Sequence, residues 1–102
     1  MFVRVVSFEG INIKELERTR ERGEALFRPL IEKLEGYRGN LELVSETGKT
    51  LSITFFDSEE NAEAAEETFS SEAPKEMGEI FKLWAGRRVS VQRYRVLADS
   101  RR

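Results

Sequence analysis

One uninterrupted run, Leu34 to Glu60, constrains this chain more than any other stretch: it reads as helix stop, strand, tight turn, strand and helix start. Gly36 follows Leu34 and Glu35 where an amphipathic helix ends, and glycine adopts the left-handed conformation beyond a helix end at the least cost. Leu41 and Leu43 alternate with Asn40 and Glu42, Thr47-Gly48 supplies the turn, and Leu51, Ile53 and Phe55 alternate with Ser52 and Thr54. Asp57-Ser58-Glu59-Glu60 adds a capping residue and carboxylates that suit the positive end of a helix dipole. A hairpin with a helix on each side sets the middle of the fold.

The flanks complete the pattern. Phe2 to Phe8 is apolar and β-branched with the single charge Arg4, and reads as a strand ended by Gly10. Asn12 and Glu15 have capping-box spacing. Ile13, Leu16, Gly23, Phe27, Leu30, Ile31 and Leu34 then fall on one helical stripe, which Pro29 is expected to kink or to split near Ala25. After the hairpin, Ala62, Ala65 and Phe69 recur at helical spacing. Ser70-Ser71 and Pro74 punctuate, and Met77, Ile80, Phe81 and Trp84 form a second amphipathic segment ended by Ala85-Gly86. Val89, Val91, Tyr94 and Val96 mark a last strand. The order βαββαβ predicts an α+β, ferredoxin-like fold: a four-stranded antiparallel sheet with its helices on one face. We read residues 1–98 as one domain and 99–102 as a polar tail. In the hairpin, Leu41, Leu43, Leu51, Ile53 and Phe55 are expected to face the helices. Asn40, Glu42, Ser52 and Thr54, with Val44, Phe56, Arg4 and Val6, are expected to face water or a second subunit.

Composition narrows the chemistry. The 102 residues hold 17 basic and 19 acidic side chains, a net charge of −2, which does not suit an electrostatic nucleic-acid binder. An RNA-recognition domain shares the element order. However, Thr50 to Phe56 lacks the basic-glycine-aromatic signature that such domains use to stack bases. The chain has no Cys and no His, which removes disulfides, thiolate and imidazole chemistry, zinc–thiolate sites and a haem held by histidine. No metal site is expected. The acidic run Asp57, Glu59, Glu60, Glu63, Glu66, Glu67 and Glu72 reads as a solvated helix face. Gly36-x-x-Gly39 lies between a helix and a strand, the wrong setting for a phosphate loop. No stretch approaches the roughly 20 apolar residues that span a bilayer, and no leader segment is visible, so the expected setting is the cytoplasm. With 39 % apolar residues the core is thin for a lone domain, which points to self-association.

Three segments resemble the antibiotic-biosynthesis-monooxygenase (ABM) family of dimeric α+β barrels. They are Arg28-Pro29-Leu30-Ile31-Glu32-Lys33-Leu34-Glu35-Gly36-Tyr37-Arg38-Gly39, then Thr47-Gly48-Lys49 with the strand leading to Asp57-Ser58-Glu59-Glu60-Asn61-Ala62, and finally Val91-Gln92-Arg93-Tyr94-Arg95-Val96. The resemblance implies a homodimer with sheets packed face to face and a ligand cleft between each sheet and its helices. It implies either a cofactor-independent monooxygenase acting on a small aromatic or quinol, or a non-catalytic dimeric barrel that binds a small ligand or serves a structural role. Haem-degrading members need an Asn on the first strand, with a Trp and a His on the second helical segment. Those places hold Ser7, Ala65 and Lys75 here, so haem chemistry of that kind is not expected.

A cofactor-free oxygenase needs an enclosing wall and a few groups that favour a phenolate and developing anionic oxygen. The candidate ligand-binding residues are Tyr37, Arg38, Asn40, Trp84 and Tyr94, with Arg93 beside them; none stands at a diagnostic spacing, and no catalytic residue is assigned. Trp84 completes the Met77–Ile80–Phe81 stripe and reads first as core. Tyr37 reads first as packing on the preceding helix end. Arg38, at the strand entrance, suits either a substrate oxyanion or a neighbouring carboxylate.

Overall fold

The computed structural model describes residues 1–101, in the order β1 (Phe2–Glu9), α1 (Ile13–Glu32), β2 (Tyr37–Val44), β3 (Thr50–Phe56), α2 (Glu59–Glu72), α3 (Lys75–Trp84) and β4 (Arg87–Arg95). The strands form one antiparallel sheet in the order β2-β3-β1-β4, the ferredoxin-like arrangement expected from the sequence. All three helices lie on one face. Ile31 and Leu34 from the end of α1, Ala62 and Ala65 from α2, and Phe56 from β3 make a buried cluster, with Phe27, Tyr37 and Phe69 packed against it.

Local signals act largely as read, with instructive exceptions. Asn12 Oδ1 accepts the Glu15 N–H at 3.2 Å. The capping box is one-sided, because the Asn12 N–H donates to the Trp84 carbonyl at 2.7 Å and so ties α1 to the end of α3. Helix α1 runs unbroken through Pro29. Ala25 and Pro29 are both exposed, so the carbonyl that Pro29 leaves without a donor lies on the solvent side. The helix stops at Glu32, and Gly36 serves the turn after it. It holds φ +72° as the third residue of a turn closed by Tyr37 N–H to Leu34 O at 3.2 Å. At the end of α3 the left-handed residue is Ala85, and Gly86 answers to crowding instead: a Cβ there would lie 2.1 Å from Ile11 Cδ1. Of the expected tail, Arg102 lies outside the described residues. Asp99 accepts the Arg101 guanidinium at 2.8 Å, and Arg101 sits 4.2 Å from the centroid of the Phe55 ring.

Gly48 is the glycine whose geometry is most demanding. It holds φ +83°, and a Cβ would come within 2.7 Å of the Ile11 carbonyl oxygen, which is backbone and cannot swing aside. Its own carbonyl accepts the Ile11 N–H at 3.0 Å. Gly48→Ala is therefore expected to lose about 2–4 kcal/mol, from left-handed strain plus the displaced loop. A urea midpoint that barely moves would refute this close approach.

The faces of the sheet are the reverse of the sequence expectation. Thr54 and Phe56 are 3 % and 0 % exposed beneath the helices, and Arg4 and Val6 are buried beside them. The cross-strand partners Arg4↔Thr54, Val6↔Ser52, Asn40↔Thr54 and Glu42↔Ser52 put that whole polar set on the helix side. Leu41, Leu43, Leu51, Ile53 and Phe55 lie on the helix-free face with Val3 and Val5. There Leu41 and Leu43 are 42 % and 46 % exposed. The physical reason lies in α1, which brings Glu24 and Arg28 over the hairpin, so the strand face beneath it is polar.

Two β-bulges adjust the alternation. Between Tyr37 and Asn40 the strand β2 holds one residue more than β3 opposite, with Gly39 at φ +118°, so Tyr37 and Asn40 share the helix side although three residues apart. In β4 the register shifts opposite Ser7 and Phe8, which brings Arg88 to the helix side with Val91 and Arg93.

Candidate functional site

A groove of about 380 Å³ opens between α2 and strands β1 and β4, lined by Arg4, Ala62, Glu63, Glu66, Arg88, Val91 and Arg93. Arg4 reaches it from the middle of a central strand, its guanidinium paired with Glu66 and 5.6 Å from the Phe69 ring centroid. Glu66 also meets Arg88 at 3.4 Å, so one carboxylate serves two guanidiniums. Arg93 pairs with Glu63 and, at 3.7 Å, with Glu59. Burial pushes the Glu66 carboxyl up, but Arg4 and Arg88 together outweigh it and hold it below the usual range. The α2 carboxylates Glu59, Glu63 and Glu66 stay solvated, 52 %, 58 % and 45 % exposed as the sequence reading expects, and they also supply the counter-charge of three sheet arginines.

A second polar cluster lies between α1 and the hairpin. Arg28 is paired with Glu24 and donates to the Tyr37 hydroxyl at 3.1 Å. Tyr37 donates in turn to Asn40 Oδ1 at 2.9 Å, and Asn40 Nδ2 donates to Glu42 Oε1 at 3.3 Å. The Ser52 hydroxyl donates to the same Glu42 oxygen at 2.8 Å. Partial desolvation of the carboxyl raises Glu42 above the ordinary carboxylate range, and the hydrogen bonds from Ser52 and Asn40 oppose that rise only in part.

A raised carboxylate disfavours its own ionised form in the folded state. Between the ordinary pKa and the raised one the folded chain holds more proton than the unfolded chain, so stability falls as pH rises through that window. Glu42→Gln keeps an acceptor for Ser52 and Asn40 and removes the charge. At neutral pH we expect a gain of a few tenths of a kcal/mol, on the order of 1–3 °C in Tm, since the residue is only partly withdrawn from water. The gain vanishes below about pH 4. Calorimetric melts of both proteins across pH test this, and a gain that persists in acid would assign the effect to something other than ionisation.

The five sequence candidates are dispersed. Tyr37 and Asn40 meet in the second cluster. Arg38 is exposed and holds Asp57 through two contacts, 2.5 and 3.1 Å, across the β2 entrance. Trp84 donates its indole N–H to Thr19 Oγ1 at 2.8 Å and lies over Gly23, between α1 and α3. Tyr94 stands on the helix-free face, its hydroxyl donating to Gln92 Oε1 at 2.6 Å. The groove residues Arg4, Glu66 and Arg88 were not among the candidates. The available signal was Arg4 itself, a lone charge within an apolar strand. A further groove, between α1 and the start of α3, is lined by Leu26, Pro29, Leu30, Lys33, Glu72 and Pro74.

The geometry defines a ferredoxin-like α+β domain with one uncovered sheet face and a charged groove on the other. No protein-family profile matches the chain. No curated protein matches it either. Solved structures do. A dimeric ferredoxin-like protein from an uncultured marine organism superposes with a TM-score of 0.74 at 17 % identity, over 100 % of both chains. The haem degrader MhuD of Mycobacterium tuberculosis, with two haems in its active site, gives 0.64 at 16 % identity, covering 97 % of this chain and 98 % of its own. A candidate antibiotic biosynthesis monooxygenase from Bordetella bronchiseptica gives 0.61 at 16 % identity, over 95 % and 98 %. The resemblance to ABM-type proteins is thus a likeness of fold.

The residues of this chain do not reproduce the Asn–Trp–His constellation expected of the haem degraders. The chain has no His, Ala65 is sealed in the core at 1 % exposure, and Ser7 opens on the helix-free face opposite the α2 groove. No helix among the described residues is long and apolar enough to cross a membrane.

Proposed function

We propose that the protein acts as a homodimer closed over its helix-free sheet faces, and that the groove beside α2 takes a small aromatic ligand. The observation that carries the dimer is the apolar row Val3, Val5, Leu41, Leu43, Leu51 and Ile53, on a face that no helix covers. An open antiparallel face that meets only water is ordinarily polar. A second sheet at the usual spacing of about 10 Å removes this surface from solvent. The dimeric state of the marine ferredoxin-like protein supports this assembly.

The chemistry that the ABM resemblance suggests is cofactor-independent oxygenation of a phenol or quinol. Without His or Cys, guanidiniums are the groups suited to holding a phenolate, and the groove presents three of them. Binding without reaction is the second reading. It is favoured by the aromatic filling of the helical layer, where Phe27 and Phe69 stack at 5.4 Å and Trp84 seals α1 to α3. Sedimentation equilibrium over about a hundredfold concentration range tests the dimer, and a monomer throughout would refute it. Oxygen uptake with a panel of naphthoquinols separates the readings. Uptake that Arg88→Gln abolishes supports the enzyme, whereas binding with no uptake leaves the ligand-binding dimer.

A further inference from the structure

The next pair on the helix side of strands β1 and β4 is Val6↔Val91, an ordinary apolar contact. One step along, the pair is Arg4↔Arg93, with like charges directly opposite on adjacent strands, which is destabilising unless anions lie between them. Arg4 is also the costly member. Its side chain is 10 % exposed, and a guanidinium buried at that depth is less stabilising than an apolar side chain of similar volume. Packing alone does not call for arginine here.

The counter-charge is the more exposed partner. Glu66 projects from α2 with its side chain 45 % exposed, and it divides one carboxylate between Arg4 and Arg88. Beside the two guanidiniums the apolar wall open to a ring is Val91, 39 % exposed, with the buried Ala62 beneath it. Glu63 and Glu59 remain with Arg93, so a departing Glu66 leaves Arg4 and Arg88 facing the groove unmatched. Guanidinium forks hold carboxylates through paired N–H donors, a geometry that a neutral hydroxyl does not satisfy.

We propose that the groove selects small aromatic carboxylates, with the ligand's carboxylate replacing Glu66 between Arg4 and Arg88 and its ring lying against Val91. This rests on the reading of the groove as the ligand site, and it names the ligand class. Glu66 then serves as an internal substitute ligand that keeps the arginine pair satisfied in the free protein.

The test is calorimetric titration of the intact protein with 2-naphthoate and with neutral 2-naphthalenemethanol, each followed by amide chemical-shift mapping. Wild type is expected to bind naphthoate and not the alcohol, with shifts at Ala62, Glu66 and Val91. Glu66→Gln removes the competitor and is expected to bind about tenfold tighter, while Arg88→Gln, an exposed position, binds about tenfold weaker. A Glu66→Gln protein that binds no tighter than wild type, or an alcohol that binds as well as naphthoate, overturns the proposal. If neutral quinols shift the groove residues and naphthoate does not, the ligand site stands and its anion selectivity falls. If no ligand shifts them, both fall. Should Glu66→Gln fail to fold, the Arg88→Gln comparison and the acid-against-alcohol comparison in wild type still decide.

Discussion

Ile53→Glu is expected to leave a monomer at concentrations where the wild-type chain is paired. Ile53 sits at the middle of the helix-free face, with Val5 and Leu41 beside it on the neighbouring strands. In a two-fold dimer each substitution places two carboxylates into the contact, and an unpaired charge in such a setting costs several kcal/mol. The dissociation constant is expected to rise at least about a hundredfold, equivalent to roughly 3 kcal/mol. The protomer itself is expected to keep its circular dichroism and most of its thermal stability, since the side chain points away from the helical core. Sedimentation velocity reads the first outcome and a thermal melt the second. A variant that stays dimeric would place the interface elsewhere, and one that unfolds as a monomer would mean that this face is core.

The second large effect is a contrast between neighbours. Phe56 is fully buried among Ile31, Leu34, Ala62 and Ala65. Phe56→Ala removes the largest side chain of that cluster and is expected to cost about 3–5 kcal/mol, roughly 15 °C or more in Tm for a domain of this size. Phe55 points the other way and is covered by Arg101. Phe55→Ala is expected to cost the protomer about 1–2 kcal/mol, and to fall more heavily on dimer affinity. Urea titrations of both variants at low protein concentration measure the difference. If Phe55→Ala proves the more damaging, the strand faces the helices through its other side.

That contrast also marks where sequence reasoning lost its way. Leu51-Ser52-Ile53-Thr54-Phe55-Phe56 has a clean alternation that ends in two phenylalanines, and only one of them can enter the helical core. Assigning the apolar set to the helices is the natural rule when one face of a sheet meets water. Here the helix side carries Arg4, Ser52, Thr54, Asn40 and Glu42, while the more apolar side is left open. Alternation has a period of two whichever face is buried, so it identifies the two sets of residues and is silent about which set meets the helices. The bulge at Gly39 adds a second blind spot. Strict alternation puts Tyr37 and Asn40 on opposite faces, and the extra residue brings them together.

The candidate site was less legible still. Arg4, Arg88 and Arg93 are distant in sequence, and they meet Glu59, Glu63 and Glu66 only because β1, β4 and α2 are brought together by the sheet order. Arg4 stands out as a lone charge in an apolar strand, but the others are unremarkable in their own segments. Trp84 could be assigned to packing from its place on the α3 stripe, yet its bond to Thr19 depends on how α3 lies across α1.

By itself the amino-acid sequence determined the element order, the hairpin turn, the caps at Asn12 and Ser58, the break at Pro74, and the absence of imidazole and thiol chemistry. These are properties of short windows, where a side chain acts on its own backbone or on a residue a few positions away. The tertiary structure alone decided which face of the sheet is covered, how the bulges shift the pairing, and which charges neutralise one another. Those outcomes depend on contacts between residues tens of positions apart, such as Arg4 with Glu66 and Thr19 with Trp84, and local propensity carries no term for them.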